Sequence, residues 1–293
     1  AAKPMNLRFA VAREVDVTPS THGTWEDLGD GLSMWRLRVV SPGAKSLNFG
    51  FTTCSLPEDA RVSLYASDEL DVVSRPLTQA DCDSAEGELW TPVVFGDDAV
   101  IELVVPARDK QQVDLHLTRA NPGYRWFTRE VDKQGTCNVD VVCPEGDGWW
   151  TEINSVAMYS INGTDSCTGA MVNNTAQDGT PYFLTADHCS VSTANDNTIV
   201  AYWNFQSVNC GDLSGGPRTD FTAGTTFRAD SAASDFTLLE FNTPPDPAFG
   251  VTFSGWNRST GDYSGAIAIH HPSCDEKAIS FEYDPTETTS YLG

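Results

Sequence analysis

The chain has 293 residues and a mass of 31.8 kDa, enough for two domains of ordinary size, each with its own core. A formal net charge of -23 and a pI near 4.3 argue against nucleic acid or an anionic membrane surface as a partner. No apolar run approaches the roughly 18 residues of a membrane-spanning helix.

In chain order, short alternating segments come first: Met34 to Val40, Ser46 to Phe51, Arg61 to Tyr65, Ala99 to Val105 and Val113 to Leu117. Pro, Gly and Asp turns separate them and no helical spacing competes, so the region reads as a β-sandwich of about 120 residues. Around Asn121-Pro122-Gly123 the pattern breaks into a charged stretch, Thr128 to Gly135. The expected boundary follows it, giving a sandwich and linker over residues 1–133 and a second domain over 134–293. That second region also reads as strands, among them Ser155 to Ser160, Thr198 to Trp203 and Phe236 to Phe241. The fold class expected is therefore all-β throughout.

Eight cysteines occur, none in a C-x-x-C pair or beside a histidine at zinc-finger spacing, which favours disulfides over metal. No metal or cofactor is expected. Disulfides imply an oxidising compartment, so a secreted or extracellular location is expected, with any export sequence already removed. Confinement to the first domain pairs Cys54 with Cys82. Asn162, Asn173 and Asn257 begin sequons that matter only in a glycosylating host.

The segment richest in chemistry is Tyr182-Phe183-Leu184-Thr185-Ala186-Asp187-His188-Cys189, an apolar strand ending abruptly in a histidine flanked by a cysteine. A general base needs such a rigid mount. Further on, Ser234-Asp235-Phe236 places an aspartate at the opening of a half-buried strand, a position that taken alone is more often a turn residue. The first segment resembles the Thr-Ala-x-His-Cys signature of trypsin-like serine proteases, and the order His188 then Asp235 is similar to theirs. Cys137 to Gly148, with Cys-Asn-Val-Asp-Val-Val-Cys-Pro-Glu-Gly-Asp-Gly, and Gly265 to Pro272, with Gly-Ala-Ile-Ala-Ile-His-His-Pro, resemble the bacterial lysyl endopeptidases in particular. The likeness runs through nearly all of residues 136–282. The region before it, with Trp90-Thr91-Pro92-Val93-Val94, resembles their propeptide.

The resemblance implies a trypsin-like double β-barrel, of which the first barrel and the start of the second are present. It implies a secreted serine endopeptidase in zymogen form, cleaving protein or peptide substrates after lysine. His188 would be the general base and Asp235 its orienting carboxylate. The nucleophile serine is expected beyond Gly293, on an extension or on a separate chain. Gly211-Asp212-Leu213-Ser214-Gly215-Gly216-Pro217 looks like a nucleophile motif with one residue inserted, but it precedes Asp235 and is rejected as such. The resemblance also implies the pairs Cys167–Cys189 and Cys143–Cys210, leaving Cys137 and Cys274 over. Lys133 stands where the propeptide would end, as the activation cleavage site. A non-catalytic interaction or adhesion module is the alternative, and a sugar-binding sandwich around Trp35 and Trp90 a third reading.

Overall fold

The computed structural model describes residues 6–67, 75–82, 87–125, 138–212, 215–259 and 263–287. Strand accounts for 44% and helix for 11%, so the all-β class expected from the sequence holds. Two antiparallel sheets form the N-terminal part. One has the spatial order Arg13–Val17, Asp114–Gly123, Ser46–Ser55, Leu89–Trp90; the other runs Thr24–Gly29, Leu32–Val40, Asp98–Pro106, Arg61–Ala66. Alternation along a strand sends every second side chain to one face, and in Asp98–Pro106 these are Ala99, Ile101, Leu103 and Val105. They share a core with Val62 and Leu64 of their own sheet and with Phe49, Phe51, Leu115 and Leu117 of the other. Trp35 and Trp90 belong to that core, 1% and 8% exposed, so they offer no row of aromatics to a sugar.

Several strands escape sequence reading, Leu89–Trp90 among them because it is only two residues long. Arg13–Val17 and Thr24–Gly29 are polar and largely exposed, and what orders them is the ladder each makes with the neighbour it flanks, Asp114–Gly123 and Leu32–Val40. Asn121-Pro122-Gly123, expected as a break, instead completes the strand Asp114–Gly123, paired opposite Asn48, Leu47 and Ser46. The expected boundary at residue 133 lies outside the described residues.

The second region is dominated by an eight-stranded antiparallel sheet. Its main path runs Phe221–Ala223, Val200–Tyr202, Val156–Ile161, Asp165–Met171, Tyr182–Thr185, Phe236–Phe241, Thr225–Ser231. The two ends of this path are consecutive in sequence, separated only by Gly224. That residue takes φ +78°, its N–H bonds to Ile199 O (2.8 Å), and its carbonyl accepts from Asn242 N (3.1 Å). One bent strand thus touches both edges and the sheet curls into a barrel. Inside are Tyr159, Phe183, Trp203 and Phe241, whose rings meet edge to face at centroid separations of 5.2–6.0 Å. A small sheet of Val139–Asp140, Ala278–Glu282 and Ala266–His270 follows.

The strand Val156–Ile161 is buried at every position. Ala157, Tyr159 and Ile161 point into the barrel, while Met158 points out and joins the sandwich core together with Val200, Tyr202, Phe205 and Phe221. Polar groups fix the register of this contact. Tyr202 Oη accepts from Val93 N (3.0 Å), Asn48 Nδ2 donates to Gly163 O (2.9 Å), and Asn121 Nδ2 donates to Asn48 Oδ1 (2.9 Å). Leu7–Arg8 adds a short strand beside Asp165–Ser166.

Gly163 sits at φ +64°, and a Cβ there would collide with Asn48 Oδ1 and Asn121 Nδ2. Gly163→Ala is expected to cost about 1–2 kcal/mol for the left-handed backbone and about 1–3 kcal/mol for the displaced buried amides. A lower denaturant midpoint, with the slope of the transition unchanged, is the expected readout; an unaltered midpoint would show that the asparagine contact does not hold the two parts together.

Candidate active site

Strand Tyr182–Thr185 carries the chain to the rim of the barrel, where Asp187–Cys189 form a single 3-10 turn closed by Ser190 at φ +61°. Several restraints hold this turn. Thr185 Oγ1 donates to Thr168 O (2.9 Å) and lies 2.8 Å from the buried Tyr159 hydroxyl. Cys189 is bonded to Cys167 on the adjoining strand Asp165–Met171. Burial pushes the Tyr159 phenol well above its ordinary pKa, keeping it a neutral hydrogen-bonding group.

Asp235 stands at φ +50° immediately before strand Phe236–Phe241, which pairs directly with Tyr182–Thr185. Its carboxylate grips His188 at two points, accepting from the backbone N at 2.8 Å (Oδ1) and lying 2.7 Å from the ring Nδ1 (Oδ2). An ionised carboxylate only accepts, so Nδ1 carries the proton and, in the neutral ring, Nε2 carries the lone pair. Both side chains reach solvent, 36% exposed for His188 and 54% for Asp235. Among the described residues no serine hydroxyl hydrogen-bonds to the His188 ring; Ser190 Oγ reaches only the His188 carbonyl, at 3.2 Å. Ser214 and Lys133 lie outside the described residues.

Cys167, His188 and Cys189 bring their Sγ and ring nitrogen atoms within 4.8 Å of one another. Both sulfurs are already joined to each other, so no thiolate remains to ligate a metal there. Cys54–Cys82 and Cys143–Cys210 also form. Cys274 is buried against Ser166 Oγ, and burial raises its thiol to about 12; Cys137 lies outside the described residues.

Sequence reading gave no sign that His271, Glu276 and Lys277 are tightly buried. His271 stacks on Phe205 with centroids 5.6 Å apart, and its Nδ1 donates to Asp275 O (2.9 Å). Burial, helped by Lys277, holds this imidazole neutral. Burial raises the Glu276 carboxyl, with the Asp275 carboxylate adding to the effect. Lys277 is 0% exposed, donates through Nζ to Ile153 O (2.8 Å) and through its backbone N to Phe205 O (2.9 Å), and burial lowers its amine to about 7.

A barrel of this kind, presenting an aspartate-gripped histidine at a disulfide-braced strand end, places the chain among the trypsin-like β proteins. Residues 131–293 match the family model for the lysyl endopeptidase C-terminal domain, and residues 1–120 match that for the lysyl endopeptidase N-terminal domain. Lysyl endopeptidase of Pseudomonas aeruginosa is 29% identical over 91% of the chain and 61% of its own length. The chain belongs to the lysyl endopeptidase family, and it spans about 61% of that curated relative.

Two measurements probe this region. Replacing both Cys167 and Cys189 by alanine opens a crosslink between residues 22 apart in sequence, and is expected to lower unfolding free energy by about 2–4 kcal/mol. For Lys277, the unfolded chain binds the proton between pH 7 and 10.5 while the folded chain does not. Lys277 therefore contributes a rise of stability with pH across that window of up to about 1.4 kcal/mol per pH unit, which the raised Glu276 carboxyl opposes below about pH 8 and the raised Cys274 thiol opposes above about pH 9. Lys277→Met should remove that contribution, so the stability of the wild type relative to Lys277→Met should rise from pH 7 to 10; a difference that stays flat over this range would contradict a buried neutral amine.

Proposed function

We propose that this chain carries the propeptide-like part and the general-base half of a secreted serine endopeptidase that cleaves after lysine. The observation that carries the reading is the two-point grip of Asp235 on His188, which leaves Nε2 as the base toward solvent. Family membership supports the reaction class, and the Pseudomonas aeruginosa relative's name supports lysine as the residue recognised. In this reading a serine hydroxyl on polypeptide outside residues 1–293 gives its proton to His188 Nε2 and attacks the substrate carbonyl. Asp235 does not take the proton. It fixes the ring tautomer and stabilises the imidazolium, which gives its proton to the leaving amine as the peptide C–N bond breaks; water then hydrolyses the acyl-enzyme, with the neutral His188 again as base.

Residues 1–133 act as the propeptide in this proposal. Cleavage after Lys133 would begin the protease at Gln134 and separate a sandwich whose core continues into the outer face of the barrel. Three disulfides among the described residues accord with an exported enzyme.

A fluorophosphonate probe applied to the secreted natural gene product, followed by peptide mapping, tests this directly. Label on a serine beyond Gly293, lost when His188 is replaced by alanine, is the expected result. Label on Ser214 would transfer the nucleophile to the motif rejected from the sequence, and an unlabelled product would favour a non-catalytic module. In the active product Asp235→Asn should lower kcat by about 10⁴-fold through the wrong tautomer, and N-terminal sequencing of the mature form should begin at Gln134.

A further inference from the structure

The lysines of the chain are Lys3, Lys45, Lys110, Lys133 and Lys277, and Lys277 alone follows Lys133. Their surroundings differ in the way that decides proteolysis, because a protease needs a stretch of backbone that can leave the structure at low free energy. Lys277 has no exposed surface; its amine is bonded to Ile153 O, its N–H to Phe205 O, and its carbonyl accepts from Val141 N at 3.4 Å. Lys45 is tied into the sandwich by both backbone groups, donating to Gly123 O (2.7 Å) and accepting from Gly96 N (3.0 Å). Lys110 is held far less. It lies in the surface 3-10 segment Ala107–Gln112, none of which is buried, followed by the exposed Gln111 and Gln112. Its carbonyl accepts only a long bond of 3.4 Å from Val113 N, and its ammonium rests on the Trp25 ring, 4.1 Å from the centroid.

We propose that the Lys110–Gln111 bond is a second processing site, cut by a lysine-specific endopeptidase acting from another molecule, while the barrel region is proof against the same enzyme. Water supplies the hydroxyl that ends Lys110 as a carboxylate and the proton that ends Gln111 as an amine. The position has a consequence for the sandwich. Asp114–Gly123 lies between Arg13–Val17 and Ser46–Ser55, and among the described residues it is the only strand that Arg13–Val17 pairs with. A cut at Lys110 detaches this central strand from residues 1–110, and with the cut after Lys133 it leaves on a separate peptide, residues 111–133. Removal of the propeptide then becomes irreversible, since the released piece lacks the strand that its first sheet is built around. The biological meaning rests on the lysine preference proposed above.

The test is limited proteolysis of the intact chain, under native conditions, with an added purified lysine-specific endopeptidase and intact-mass readout. Because the protease is added, the cleavage map does not depend on this chain's own activity, and its failure is separable from failure of the proposed function. Cleavage at Lys110–Gln111 should outpace that at Lys45 by about tenfold or more, the ratio set by a difference of about 1.4 kcal/mol in local opening. Lys277–Ala278 should survive until the chain is reduced and denatured. Lys110→Arg, which keeps a cation on Trp25, should abolish the cut without moving the thermal midpoint. Cleavage at Lys277 in the native protein, or a Lys110–Gln111 bond that survives while Lys45 is cut, would overturn the proposal, as would resistance of every lysine to a protease dose that digests the denatured chain.

Discussion

Burial of the strand Val156–Ile161 on both faces is the constraint from which the arrangement of the molecule follows. A strand with a wet face can be built from alternating residues, but this one has a barrel interior on one side and the sandwich core on the other. The sandwich meets that need with apolar contact, and it fixes position with the Asn48, Asn121 and Gly163 hydrogen bonds and the Tyr202 hydroxyl. Apolar area supplies attraction without direction; buried amides that must find partners supply the register.

The candidate site inherits its geometry from the same barrel. His188 and Asp235 are 47 residues apart and meet because the strands that carry them are hydrogen-bonded neighbours, Tyr182–Thr185 and Phe236–Phe241. Asp235 reaches the histidine from a left-handed backbone conformation, and His188 projects from a turn held by the Cys167 bridge and the Thr185 hydroxyl. Local strain of this kind persists only where surrounding contacts over-determine it. The rigid aromatic interior around Phe183, on the strand that leads to the rim, provides that support.

Charge is handled differently at the surface and in the buried segment around Lys277. On the sandwich, Arg36 pairs with Glu102 and Arg38 with Asp98 in solvent, where such pairs contribute little. In that segment Lys277 and His271 are withdrawn from water and held toward their neutral forms, and Glu276 toward its protonated one. This segment bonds to Ile153, Phe205 and Val141 at once, so it ties the barrel, the short helix Trp150–Ile153 and the small sheet together.

The sequence by itself determined the all-β class, the inner strands of the sandwich, the barrel strands near Ser155, Thr198 and Phe236, and the residues brought together at the rim. Alternation and cysteine or histidine motifs are local properties, written into consecutive residues. Tertiary structure alone decided that Arg13–Val17 and Thr24–Gly29 are strands, that Asn121-Pro122-Gly123 continues one, and that Gly224 joins two ends of a sheet. It also decided that Lys277 is sealed while Lys110 is accessible, and that one carboxylate of Asp235 holds both the backbone and the ring of His188. The physical reason is common to these cases: a side chain's periodic position says which way it points, but only the distant element packed there says whether it meets water, a partner or a core.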